Sequence, residues 1–99
     1  MISILLDETY IMIQDAKTRI LNAFRKNGNH GQLPAKAGDL LAIGMVNYAI
    51  GPELRSYRDD ALQELVDEGI LIKADGNSAT TASGSVEGYR ITELGVRML

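Results

Sequence analysis

The sequence contains no cysteine or tryptophan, and its aromatic residues are four tyrosines and one phenylalanine. The absence of cysteine excludes a disulfide framework, a thiolate zinc site and a cysteine nucleophile. No stretch approaches the roughly 20 apolar residues that a membrane-spanning helix needs. The apolar start, Met1–Leu6, has no basic residue and runs directly into Asp7, so it does not resemble a signal peptide. We therefore expect one cytoplasmic domain over residues 1–99, with no membrane partner.

The usual signatures of catalysis are missing as well. The one histidine, His30, lies among glycines and asparagines, where a solvated side chain is the common role. No metal-ligand spacing of histidine and carboxylates is found, and the glycines of Asn27–Gly31 are not followed by the Gly-Lys-Ser/Thr of a phosphate loop. No serine lies in a Gly-x-Ser-x-Gly elbow. We predict that the chain is not an enzyme and has neither a metal site nor a cofactor.

Basic residues are fewer than acidic ones, and the formal net charge is -3. This argues against strong non-specific binding to nucleic acid, because neutralising phosphates normally dominates that affinity. Local charge matters more than the total, however. The segment from Ala16 to Ala37 contains no acid and five basic residues, Lys17, Arg19, Arg25, Lys26 and Lys36. We interpret it as a solvated helix face, with a phosphate-facing edge as the alternative.

Apolar periodicity predicts a long first helix, from about Ser3 to Lys26, within an N-terminal segment 1–27. Its main stripe is Leu6, Tyr10, Ile13, Ile20 and Phe24, and Asn27-Gly28 is a typical stop. Leu5, Ile11 and Met12 lie off that stripe, so the helix is apolar on more than one side and needs a second partner. Packing within the chain would satisfy them. A homodimer interface formed by Leu5, Ile11 and Met12 is the alternative.

The rest of the sequence predicts further helices followed by a hairpin. A second helix is predicted over about residues 35–49, with Tyr48 in the core, and a third over Pro52–Glu68, ended by a left-handed Gly69. Ile70–Ile72 and Tyr89–Ile91 are short strand-like runs separated by small polar residues. Thr92 can cap a last helix over 92–99. The predicted class is α+β and mostly α.

Two short motifs carry a resemblance to a known superfamily. Ala61–Ile72 fits the pattern L-x-x-L-x-x-x-G-x-(I/L), and Gly88–Gly95 contains Y-x-(I/L)-T-x-x-G. Together they resemble the winged helix–turn–helix superfamily, as in small bacterial, phage or plasmid transcriptional regulators. The resemblance implies a helix–turn–helix over 35–69, a two-stranded wing over 70–91 and a three-helix core. The long N-terminal helix and the short C-terminal helix flank this unit.

The same resemblance implies a DNA-binding transcriptional regulator that acts as a homodimer on two half-sites. Duplex DNA would be held by the start of helix 3 and by the wing. The candidate contacts are Arg55, Ser56, Tyr57 and Arg58 in helix 3, and Lys73, Asn77, Ser78, Thr80 and Thr81 in the wing.

The alternative is a winged-helix module that binds a protein and never touches DNA. Helix 3 favours this reading because it carries six acids against two arginines: Glu53, Asp59, Asp60, Glu64, Asp67 and Glu68. These acids either point away from DNA or belong to a module that does not bind it. A continuous basic surface over Arg55, Arg58 and the wing would favour DNA, whereas a negative surface there would favour a protein partner.

Overall fold

The computed structural model describes residues 8–31, 36–74, 80–81, 84–85 and 87–99. Within them lie four α-helices: α1 (Glu8–Gly31), α2 (Ile43–Ile50), α3 (Arg58–Asp67) and α4 (Glu93–Arg97). A 3-10 helix, Pro52–Tyr57, leads into α3. The strands are β1 (Leu40–Ala42), β2 (Leu71–Ala74), β3 (Thr80–Thr81), β4 (Gly84–Ser85) and β5 (Gly88–Ile91). The described chain is therefore α+β and mostly helical, as the sequence predicts.

Three of the strands form one antiparallel sheet in the order β1-β5-β2, and β3 pairs with β4 separately. The central strand β5 places Tyr89 opposite both Leu41 and Lys73. The predicted two-stranded wing was therefore wrong in strand number. The third strand, β1, comes from residues that the sequence assigned to the second helix.

Hydrogen bonds to β5 and to Glu87, the residue before it, explain why the start of that predicted helix is extended. Gly38, with a φ of 96°, donates its N–H to the Ile91 carbonyl at 2.7 Å, and the Ile43 N–H donates to the Glu87 carbonyl at 2.9 Å. Leu41 is 2% exposed, so the strand also fills the core. A short apolar run supports a strand and a buried helix equally well in sequence, and here the pairing decides.

The first helix ends later than predicted. It continues through Asn27 and Gly28 to Gly31, so that Asn-Gly pair does not stop it. A glycine within a helix costs only about 1 kcal/mol relative to alanine, which a long packed helix tolerates. None of the described helices combines the length and the hydropathy needed to span a membrane.

The predicted third helix is divided in two. Gly51, with a φ of 77°, turns the chain, and Pro52–Tyr57 then forms the 3-10 helix before α3 begins at Arg58. Both predicted end signals are confirmed. Gly69 has a φ of 77° after α3, and the Thr92 hydroxyl accepts the Gly95 N–H at 3.0 Å to cap α4.

The core lies where α1 packs across α2, the 3-10 helix, α3 and β1. Its largest fully buried side chains are Phe24, Ile20, Ile50, Leu54, Leu62, Leu65, Leu71, Ile91 and Val46. Burying one such side chain contributes roughly 1.5–3 kcal/mol, so α1 is a structural member of the domain. Tyr48 is 82% exposed, and its predicted place in the core was wrong. Val46 and Ile50 face the core, and Tyr48 lies two residues, or about 200°, from each.

Candidate interaction surface

One surface of the domain is formed by the solvent side of the 3-10 helix and α3, together with the neighbouring strands. Leu54, Ala61, Leu62 and Leu65 are buried, which turns the residues between them outward. We call this surface the helix–hairpin face; its polar residues are Arg55, Ser56, Arg58, Asp59, Asp60, Gln63, Asp67, Lys73 and Glu87. It contains four of the nine residues that the sequence proposed for DNA contact, namely Arg55, Ser56, Arg58 and Lys73.

A groove of about 430 Å³ runs between α3 and the sheet on this face. Three half-buried side chains, Ile43, Val66 and Tyr89, give it an apolar floor. The rim carries Arg58 and Lys73 on the positive side and Asp59 and Glu87 on the negative side, with Gln63 beside them. The groove therefore has an apolar floor, and the positive and negative charges on its rim cancel.

The Arg58 side chain is engaged within the chain. Its Nε donates to Asp59 Oδ1 at 2.9 Å, and its Nη1 donates to Asn47 Oδ1 at 2.9 Å. Its side chain is 26% exposed, and the bond to Asn47 ties the start of α3 to α2. Arg58 thus acts as a structural link, with two of its five donors already occupied.

The other predicted contacts divide into three groups. Arg55, Ser56 and Lys73 are exposed, whereas Tyr57 is half-buried and packs against the core. Asn77 and Ser78 lie outside the described residues. Thr80 and Thr81 form β3 and pair with Ser85 and Gly84, but their side chains also lie outside what is described. The structure therefore brings Arg58 and Lys73 to one groove and leaves Arg55 and Ser56 on the 3-10 helix.

Three of the six acids of the predicted third helix turn toward α1. Lys17 Nζ lies 3.1 Å from Glu64 Oε1 and 2.9 Å from Glu68 Oε2. Arg19 Nη1 lies 3.0 Å from Glu53 Oε1 and also donates to the Ile50 carbonyl at 3.0 Å. These contacts hold the 3-10 helix and α3 against α1.

The shifts in pKa follow from these pairs. Burial is the largest single influence on the Lys17 pKa and lowers it, but the hydrogen bonds and charges of Glu68 and Glu64 together outweigh it, so the pKa is raised. The pKa of Arg19 is raised chiefly by its hydrogen bond to Glu53. The pKa of Glu53 is lowered first by its own backbone amide and then by Arg19. Two residues of the predicted basic stretch therefore serve to neutralise acids of the same chain.

The three remaining acids lie on the helix–hairpin face. Asp59, Asp60 and Asp67 are exposed, and Asp67 accepts the Gln63 side-chain amide at 2.8 Å. Among the described residues, this face has three cations (Arg55, Arg58 and Lys73) and four carboxylates (Asp59, Asp60, Asp67 and Glu87), so 3 − 4 gives a net charge of −1. It does not form a continuous basic surface.

Two functional candidates on this face were missed in the sequence. Gln63 lies four residues after Asp59 and four before Asp67, so helical spacing alone predicts that the three share one side of α3. Glu87 precedes β5 and had no local signal, because only the sheet brings it to the groove rim beside Lys73. Within the described ranges, no group of three or more histidines or carboxylates could hold a metal ion.

The predicted dimer residues lie on α1 or before it. Leu5 falls outside the described residues. Ile11 is 46% exposed, while Met12 is half-buried and packs against the core of its own chain.

Comparison with protein-family models, with curated proteins and with solved structures finds no match to this chain.

Proposed function

We propose that this chain is a winged-helix domain whose helix–hairpin face binds a protein partner rather than duplex DNA. The 3-10 helix and α3 correspond to the third helix of that fold, and β2 and β5 form the base of the wing. The element order supports the assignment: α1 and β1 are followed by α2, by the 3-10 helix that leads into α3, and then by β2 and β5, of which β5 is central in the sheet. The left-handed Gly69 and the Thr92 cap lie at the joints that the two sequence motifs mark.

The choice of a protein partner over DNA depends on one observation, the charge of the helix–hairpin face. Duplex DNA has one negative charge per roughly 1.7 Å, and proteins bind it largely by neutralising those phosphates. On this face Asp59, Asp60 and Asp67 point outward, and the Arg58 guanidinium is paired with Asp59. A duplex laid against α3 would meet carboxylates along the helix. The net negative charge of the helix–hairpin face is therefore unsuited to binding DNA, which is itself a polyanion.

The groove beside α3 suits a protein segment better. Protein interfaces combine an apolar centre with a polar rim, and tyrosine is enriched at their centres. Ile43, Val66 and Tyr89 supply such a centre, and the rim offers charges of both signs. A partner segment with an apolar anchor and flanking polar groups matches this lining.

The second candidate is the DNA-binding regulator, which a specific observation still favours. Arg55 and Ser56 are exposed at the start of the third helical element, and Lys73 is exposed across the groove. Those three side chains are free to meet a phosphate or a base edge. The two functions differ in a direct binding experiment.

Fluorescence anisotropy with labelled genomic duplexes at about 50 mM salt separates the two functions. We expect no saturable binding by the natural chain, because the outward carboxylates repel phosphate. We also expect the double variant Asp59→Asn/Asp60→Asn to gain weak, salt-sensitive binding, since it removes that repulsion.

Saturable binding by the natural chain that weakens by about 1–3 kcal/mol in Arg55→Ala would contradict the proposal and support the regulator. Arg97→Ala is the matched control, because Arg97 is an exposed arginine on α4 and away from the helix–hairpin face.

A further inference from the structure

We propose that α1 pairs antiparallel with α1 of a second copy of this chain. The pairing surface is the α1 stripe, which we define as Ile11, Gln14, Thr18, Leu21 and Arg25. Spacings of three and four residues place all five on one side of the helix. Ile11, Thr18 and Arg25 are exposed, and Gln14 and Leu21 are half-buried.

A second groove runs beside this stripe and can receive side chains of a partner helix. Its volume is about 440 Å³. Four side chains of α1 line it on one side, and it is completed by Leu65, Glu68, Ile70 and Met98; the α1 residues are Gln14, Lys17, Thr18 and Leu21. The Lys17–Glu68 ion pair therefore lies within the groove. Met98 is 55% exposed, and Leu94, one helical turn earlier on α4, is 45% exposed. Ile11, on the α1 stripe, is 46% exposed.

The stripe is complementary to itself when a second copy runs in the opposite direction. Rotation about a point midway between Gln14 and Thr18 places Gln14 against the partner copy's Thr18 position and Ile11 against its Leu21 position. The same rotation brings the acidic first turn, with Glu8, close to the Arg25 position. An interface of this kind is closed and uses the same patch on both copies, as in two-fold dimers.

Charge along α1 selects the antiparallel arrangement over the parallel one. Asp15, Lys17 and Arg19 are paired within the chain, whereas Glu8 in the first turn and Arg25 near the other end of α1 are exposed charges of opposite sign. Parallel helices would set like charges side by side. Antiparallel helices set Glu8 of each copy near Arg25 of the other, and antiparallel helix dipoles also attract each other. A second copy is therefore the occupant whose charges complement this surface.

Sedimentation velocity of the full chain, from micromolar to near-millimolar concentration, tests the pairing. We expect a species of twice the mass of one chain. Ile11→Asp should raise the dimer dissociation constant roughly tenfold or more, because it places a charge in the apolar contact. Ile11 lies in the exposed first turns of α1, where an acid is compatible with the helix dipole, so the variant should still fold. Ile72→Asp, at an exposed site on the sheet, should leave the dimer unchanged.

Charge exchange then tests the direction of the helices. Glu8→Arg and Arg25→Glu should each weaken the dimer, and the double variant should restore it, because both contacts are reformed with reversed sign. A monomer at every concentration would overturn the inference, as would a dimer unaffected by Ile11→Asp or single variants that the double variant fails to rescue. None of these readouts involves the helix–hairpin face, so this result and the choice between protein and DNA are decided separately.

Discussion

Replacing Phe24 by alanine is expected to lower the free energy of unfolding by about 3–5 kcal/mol. Phe24 is fully buried on the inner side of α1, where it belongs to the cluster that joins α1 to the other helices and the sheet. The loss includes the transfer of the ring to water and the cavity left behind. Because small domains are stable by only about 5–15 kcal/mol, the change removes a large part of the total.

Urea unfolding followed by circular dichroism measures this loss, with Tyr48→Ala as the aromatic control. Tyr48 is 82% exposed, so its truncation should change the free energy of unfolding by less than about 0.5 kcal/mol. Similar losses in both variants would show that α1 is not the element around which the core is built.

Gly95→Ala is expected to destabilise the domain by about 1–3 kcal/mol, even though alanine is the better helix former. A Cβ atom at Gly95 would lie 2.6 Å from the Ile70 carbonyl oxygen and 2.6 Å from Ile91 Cγ1. The carbonyl belongs to the backbone and cannot rotate away. The start of α4 would therefore have to move away from Ile70, which precedes β2, and from Ile91 at the end of β5.

Gly44→Ala is the matched substitution with the opposite expected sign. Gly44 is exposed in the first turn of α2, and a Cβ atom there would meet nothing within 4 Å. The gain in helix propensity should stabilise the domain by up to about 1 kcal/mol. Thermal unfolding of both variants checks the pair. Stabilisation of both would show that α4 does not approach β2 and β5 as closely as described.

Features that depend on a few neighbouring residues could be predicted from the sequence. Gly69 ends α3 because a left-handed residue is needed there, and Thr92 begins α4 because its hydroxyl reaches the amide three residues later. Both are local requirements with a strong residue preference. The inward stripe of Leu62 and Leu65 likewise follows from helical spacing.

Features that depend on distant partners could not be predicted. Leu40–Ala42 becomes a strand only because β5, almost 50 residues later, supplies its hydrogen bonds. The charges of the candidate site show the same limit. The six acids of the predicted third helix could be seen in the sequence. Which of them pair with α1 could not, because Lys17 and Glu64 are 47 residues apart. The pairing leaves three aspartates on the helix–hairpin face, and these decide which function the face supports.

Photo-crosslinking in the native host tests the protein-binding proposal most directly. A photoreactive amino acid at position 63 would lie at the centre of the helix–hairpin face, beside the groove, and one at exposed Glu93 on α4 would serve as the control. We predict a discrete adduct at position 63 that protease removes and nuclease leaves intact, with no such adduct at position 93. An adduct at position 63 that nuclease removes would contradict the account, because it would place DNA on the face that we assign to a protein.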